Sequence, residues 1–132
     1  MGMSMRIFSY TETFPGKVNF IDHANVLLGY DLGQCCCENA SWSIGPNKDG
    51  SDAIHKGDNE EPQEIHLENY SFDTDFFEGN EDSYEEEGGS FAIFKIVSYR
   101  EPDLYVRLEN CHNGYYGHGF TFSGKPRIEG CL

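Results

Sequence analysis

The sequence has no apolar run approaching the ~20 residues that a bilayer-spanning helix needs, so a membrane-spanning protein is not expected. Its opening, Met1-Gly2-Met3-Ser4-Met5-Arg6, leads into no apolar stretch of the kind that begins a secretory signal. Arg6 also stands where a myristoylation signal wants Ser or Thr. Together these features predict a cytoplasmic chain without a lipid anchor. Lys and Arg are missing from residues 57 through 94. Acids crowd the same part of the chain, thirteen of them between residues 58 and 87, and the net charge is −14. Such a surface repels nucleic-acid phosphates, because ordinary binding needs Lys and Arg to displace counterions. Direct nucleic-acid binding is therefore disfavoured, and a protein partner, in particular a basic one, or a divalent cation fits the charge better.

A regular disulfide plan is missing as well. The five cysteines are an odd number and three of them are consecutive. Neighbouring Cα atoms lie about 3.8 Å apart, short of the ~4.4 Å at which the usual disulfide range begins. Reduced thiols in a cytosol fit this pattern.

What is present is β chemistry. At 132 residues the chain is long enough for one domain and too short for two of ordinary size, so residues 1–132 are read as a single β-rich domain with an acidic insertion at approximately 45–89. Fifteen glycines, five prolines and 14% aromatics, with few stretches of period 3.6, indicate short strands joined by turns. Residues 17–22 and 25–30 read as a hairpin around Asp22-His23-Ala24-Asn25. From Cys35 onward, Cys36, Glu38, Ala40, Trp42 and Ile44 share one face of an extended chain, and Trp42 and Ile44 mark it as the core side. A short helical turn through 35–39 is the competing geometry. Ile65 and Leu67 point inward from a strand at 64–68, and some of Tyr70, Phe72, Phe76, Phe77 and Tyr84 dock on the core, since disordered segments are poor in aromatics. Residues 91–99 form a near-continuous apolar strand. The returning strand alternates, with Leu104, Val106 and Leu108 inward, and Phe120-Thr121-Phe122 makes a third. The expected fold class is mainly β, an antiparallel sheet or meander of five to seven strands with room for one short helix, burying Trp42, Phe94, Ile96, Val106 and Leu108.

Two segments concentrate the reactive side chains: Cys35-Cys36-Cys37-Glu38-Asn39 and Cys111-His112-Asn113-Gly114-Tyr115-Tyr116-Gly117-His118. Zinc takes about four thiolate or imidazole ligands, and Cys35, Cys36, Cys37, Cys111, His112 and His118 supply more than enough. Their spacing does not match the usual zinc patterns, in which paired cysteines flank a turn; the plainer reading packs Cys36 as a small apolar residue. Thiol catalysis would use Cys36 or Cys37 as nucleophile, His112 or His118 as base, and Glu38 or Asn113 to orient the imidazole, but no cysteine-hydrolase signature surrounds these cysteines. Asn113-Gly114 has tight-turn chemistry, with Tyr115 and Tyr116 either packing over a sheet edge or forming a binding lip. An EF-hand calcium loop fails at Asp73-Thr74-Asp75-Phe76-Phe77-Glu78-Gly79, which places Phe and Gly at the wrong positions. His23, His55 and His66 are isolated polar or packing residues.

At these motifs the chain resembles a family of small uncharacterised domains found in bacteria and their phages. The resemblance rests on Asn25-Val26-Leu27-Leu28-Gly29-Tyr30-Asp31, Gln34, Cys36-Cys37-Glu38 and His112-Asn113-Gly114-Tyr115-Tyr116-Gly117-His118-Gly119-Phe120. It covers about half of the chain, at 18–44 and 91–122. It implies kinship and an intracellular bacterial or phage setting, and brings no activity with it. Cys35 and the long acidic insertion depart from the pattern. The candidate binding patch is therefore Tyr30, Asp31, Gln34, Cys36, Cys37, Glu38, His112, Asn113, Tyr115, Tyr116 and His118. The expected function is a non-catalytic binding or accessory domain acting through protein contacts. The alternatives are a metal or thiol site in the same patch, with zinc the fitting metal, and an acidic lobe that imitates nucleic-acid phosphates on a basic protein.

Overall fold

Alternation of apolar and polar residues is the pattern that builds this molecule. In a computed structural model, which describes residues 4–10, 17–32, 39–58, 63–79, 90–111, 119–124 and 127–131, no helix occurs among the described residues. Their strands in chain order are β1 (Ser4–Tyr10), β2 (Lys17–Ile21), β3 (Leu27–Asp31), β4 (Asn39–Gly45), β5 (His55–Gly57), β6 (Gln63–Glu68), β7 (Ser71–Phe72), β8 (Glu78–Gly79), β9 (Ser90–Val97), β10 (Leu104–Cys111), β11 (Gly119–Phe122) and β12 (Ile128–Cys131). They pair antiparallel into two open sheets. The first runs β12-β11-β3-β2-β1-β6, and the second β5-β4-β10-β9-β7 with β8 also on β9. The mainly β, antiparallel reading holds, and it is realised as two sheets of six strands each.

The inner faces meet in one core. From the first sheet come Met5, Ile7, Val18, Phe20, Leu28, Tyr30, Phe120 and Phe122; from the second come Ala40, Trp42, Ile44, Phe94, Ile96, Val106 and Leu108. Ring contacts cross between the sheets. Phe20 meets Trp42 edge-on at 5.4 Å, and Phe94 lies 4.9 Å from Phe122 and 5.8 Å from Phe120. Pairs of this kind contribute ~0.5–1.5 kcal/mol beyond their buried area. Tyr70 and Phe72 are buried in the same core, and Phe77 packs against Phe94, so aromatics of the acid-rich stretch dock as expected. That stretch is woven into both sheets: β5 edges the second beside β4, β6 edges the first beside β1, and β7 and β8 extend the second at β9.

The β2–β3 hairpin forms where the turn residues predict it, and Asp22 explains its shape. Asp22 Oδ1 accepts from the N–H groups of Ala24 and Val26, each at 3.0 Å, while its own carbonyl accepts from Asn25 N–H, also at 3.0 Å. Asn25 takes the left-handed conformation, φ 63°, which Asn tolerates better than most residues. Asp22 Oδ2 accepts from Phe72 N–H at 2.9 Å. One buried carboxylate thus closes the turn and ties it to the first residues of the second sheet's edge. β9 and β10 form the expected hairpin, with Leu104 opposite Ile96 and Val106 opposite Phe94. β11 does not extend it. The chain crosses instead to the first sheet, where Phe120 pairs with Tyr30.

Candidate functional site

Outward positions of the second sheet border a concave surface. On β4, Ser41 and Ser43 alternate with buried Ala40, Trp42 and Ile44 and so face away from the core. The register places Glu109 opposite Ser41 and Arg107 opposite Ser43. Residues 46–54 fold back over this face. Arg107 Nη1 donates to the Lys48 carbonyl at 3.0 Å, and the Arg107 guanidinium also pairs with Glu109. Gly50 sits at φ 86°, where a side chain would be strained, and a β-carbon there would meet Arg107 at 3.3 Å. Asn47 holds the loop by donating to the Ser51 carbonyl and hydroxyl, and Ile54 N–H donates to the Ile44 carbonyl at 2.8 Å, which leads the chain into β5 beside β4.

The result is a cleft of about 760 Å³ bordered by β4, β5, the 46–54 loop, Gln63 at the start of β6, and Glu109 of β10. Four carboxylates line it, those of Asp49, Asp52, Asp58 and Glu109, against the single ammonium of Lys56. Asp49 accepts from the Ser51 hydroxyl at 2.6 Å and from Ser51 N–H at 2.9 Å. The Ser51 side-chain bond above all, then its backbone bond and the nearby Arg107 charge, hold the Asp49 carboxyl below the usual carboxylate range. The cleft is therefore anionic at neutral pH. Trp42, 1% exposed, is among the residues that border it. No described residue accepts a hydrogen bond from Trp42 Nε1.

The patch expected from the motifs falls mostly outside the described residues: Gln34, Cys36, Cys37, Glu38, His112, Asn113, Tyr115, Tyr116 and His118 all do, as does Cys35. Tyr30 and Asp31 are described. Tyr30 is fully buried, and its hydroxyl donates to the Glu109 carbonyl at 2.8 Å across the two sheets, so its side chain acts as a strut within the core. Asp31 ends β3 opposite Lys17. The strands flanking the two motif segments are register neighbours: Asn39 pairs with Cys111, and Tyr30 with Phe120. Among the described residues, no group of three or more His, Cys, Asp or Glu side chains could hold a metal ion, and no helix is long and apolar enough to cross a membrane.

Sequence reasoning passed over the cleft. Residues 47–52 entered the reading only as part of the acidic insertion and Trp42 only as core, although small outward Ser41 and Ser43 between buried neighbours were a usable sign of an uncovered face. No protein-family model, curated protein or solved structure matches the chain.

Proposed function

We propose that this protein is a non-catalytic binding domain that recognises a basic segment of a partner protein through the acidic cleft on its second sheet. The observation that carries the reading is the composition of the cleft wall, four carboxylates to one ammonium around a cavity of about 760 Å³. Such a site attracts cationic side chains over a distance and concentrates them in a concave, partly desolvated place. The net charge of −14 adds a field of the same sign around it.

The test is calorimetric titration of a short oligolysine peptide at low and high salt, using three proteins. Binding that weakens steeply with salt is expected for the native chain. A cleft variant, D49N/D52N/D58N, should lose at least about tenfold in affinity at low salt, the size of one well-placed charge contact at ~1.4 kcal/mol per decade. A remote variant with the same change in charge, E64Q/E68Q/E129Q, should lose much less. Equal losses in the two variants would reduce the effect to net charge and sink the cleft as the site.

A second reading keeps the thiol and histidine segments as one structural or metal-binding patch, in line with the resemblance to the bacterial and phage domains. It is supported by the pairing of Asn39 with Cys111 and of Tyr30 with Phe120, which starts both connections from neighbouring strand ends. Native mass spectrometry with elemental analysis, on protein purified without chelator or affinity metal, decides it. One stoichiometric metal, with thiols protected until a chelator is added, is the expected result; metal-free protein with freely titrating thiols would discard it.

A further inference from the structure

Both sheets are open, and their outer strands differ in length. β12 has four residues, β5 three, and β7 and β8 two each, whereas β6 has six. Among the described residues no strand pairs with β6 on the side away from β1. The Gln63 N–H donates to the Ser9 hydroxyl on β1 at 3.1 Å. Main-chain groups alternate in direction along an antiparallel strand, so Ile65 and Leu67 also turn theirs to β1, and Glu64, His66 and Glu68 turn theirs outward. An edge of this length is a template for another strand, and soluble proteins commonly blunt it with proline, lysine or a bulge. β6 reads Gln63-Glu64-Ile65-His66-Leu67-Glu68, without proline or lysine, and its register with β1 runs unbroken from Glu68 to Gln63.

Charge and length decide what fits this edge. Glu64, His66 and Glu68 are exposed on one face of the strand, while Ile65 and Leu67 pack toward the core on the other. His66 Nε2 lies 2.9 Å from Glu64 Oε2, and Arg6 on β1 reaches the same carboxylate at 3.4 Å. A second copy laid antiparallel along the edge has a choice of two-fold registers. Centred on His66, the pair would set Glu64 against Glu68 of the partner subunit at both ends, with like charges directly opposed. Centred on Leu67, it would match His66 with Glu68 of the partner subunit but run out of strand at Asn69, which turns the chain with φ 69°. Centred on Ile65, it keeps residues 63–67 of both copies within the strand, sets Glu64 against His66 of the partner subunit at both ends, and continues the apolar row on the core side. We infer that the protein self-associates through this edge, as an antiparallel β6–β6 pair about a two-fold axis at Ile65 that joins the first sheets of two copies. Such a contact uses one surface twice. A single strand edge buries little area, so the dimer is weak and concentration-dependent. The net charge of −14 on each copy also makes it favour salt that screens the long-range repulsion.

This inference is independent of the basic-partner reading, since no ligand enters its test. Sedimentation velocity over a concentration series at moderate salt should show the native chain passing from monomer to dimer; a chain that stays monomeric throughout overturns the inference. Two charge variants read the register. His66→Glu opposes carboxylates at both ends of the pair, and Glu64→Lys sets a cation against the imidazole, so each variant alone should dimerise at least several-fold more weakly than the native chain. Mixed in equal amounts, the two should recover dimer, because the introduced lysine meets the introduced carboxylate at one end and the retained Glu64 meets the retained His66 at the other. No recovery on mixing overturns the inference; the register centred on Leu67 would give none, since it sets the introduced carboxylate against Glu68 of the partner subunit. Glu64→Pro is the second check. It removes an outward N–H that the β1 pairing does not use, so the fold should survive while the dimer is lost. A dimer that persists in this variant overturns the inference.

Discussion

Two acidic regions of one chain use carboxylates in opposite ways. Asp22 is 4% exposed, and its two oxygens accept from three backbone N–H groups: Ala24, Val26 and Phe72. Every one of these contacts is internal and to the main chain, so the acid serves the architecture. Around the cleft, Asp49 and Asp52 lie on an exposed loop and are met by local side chains, Ser51 and Asn47. The same chemical group is structural where the fold satisfies it and available for recognition where the fold leaves it facing a cavity. Burial and hydrogen-bond partners separate the two roles; composition does not.

The sharpest way to break the comparison is at the turn. Asp22→Ala should destabilise the protein by about 3 kcal/mol, because it removes three charge-assisted bonds and strands the buried Phe72 N–H. Urea unfolding measures it, with the shift in midpoint as the readout. A loss below ~1 kcal/mol would mean that water replaces the carboxylate and that Asp22 is no staple. Tyr30→Phe comes next, at about 1 kcal/mol, since it deletes one hydroxyl donor to the Glu109 carbonyl and leaves the ring packing in place. On the other side of the comparison, D49N/D52N should shift the unfolding midpoint far less than Asp22→Ala does and still weaken oligolysine binding. A marked fall in stability would move these two acids into the structural class with Asp22.

The legible part of the fold was the part written in alternation. Leu104, Val106 and Leu108 declare their buried face one residue at a time, and Asp22 through Asn25 carry turn chemistry that needs no distant partner. Pairing is another matter. Phe120 and Phe122 alternate like any strand, which says that they face a core and is silent on their neighbours. Their seat beside β3, opposite Phe94 in the second sheet, is decided by packing between sheets. Tyr30 entered the candidate patch through a motif, and a motif does not distinguish an outward ring from a strut. The cleft was hidden for the same reason. Ser41, Asp49, Gly57, Gln63 and Glu109 span much of the chain, and they meet only because the β4–β10 register and the 46–54 loop bring them together.

The smallest effect is the most specific to the cleft. Asp49 is held below its ordinary value of 3.8, chiefly by the Ser51 hydroxyl. A carboxylate with a depressed folded-state pKa contributes stability that is fully present above its unfolded pKa and is lost only as pH falls through the folded value. Asp49 therefore keeps its charge on acidification to a lower pH than an ordinary aspartate does. In a carbon-detected titration its midpoint should lie below 3.8, and Ser51→Ala should raise it towards that value without reaching it, because the Ser51 N–H still donates. In the same pH range, oligolysine affinity should fall earlier in the Ser51→Ala protein than in the native one. An unchanged Asp49 midpoint in that variant would show that the Ser51 hydroxyl is not what holds this carboxyl down, which would leave the backbone bonds and the Arg107 charge to do so.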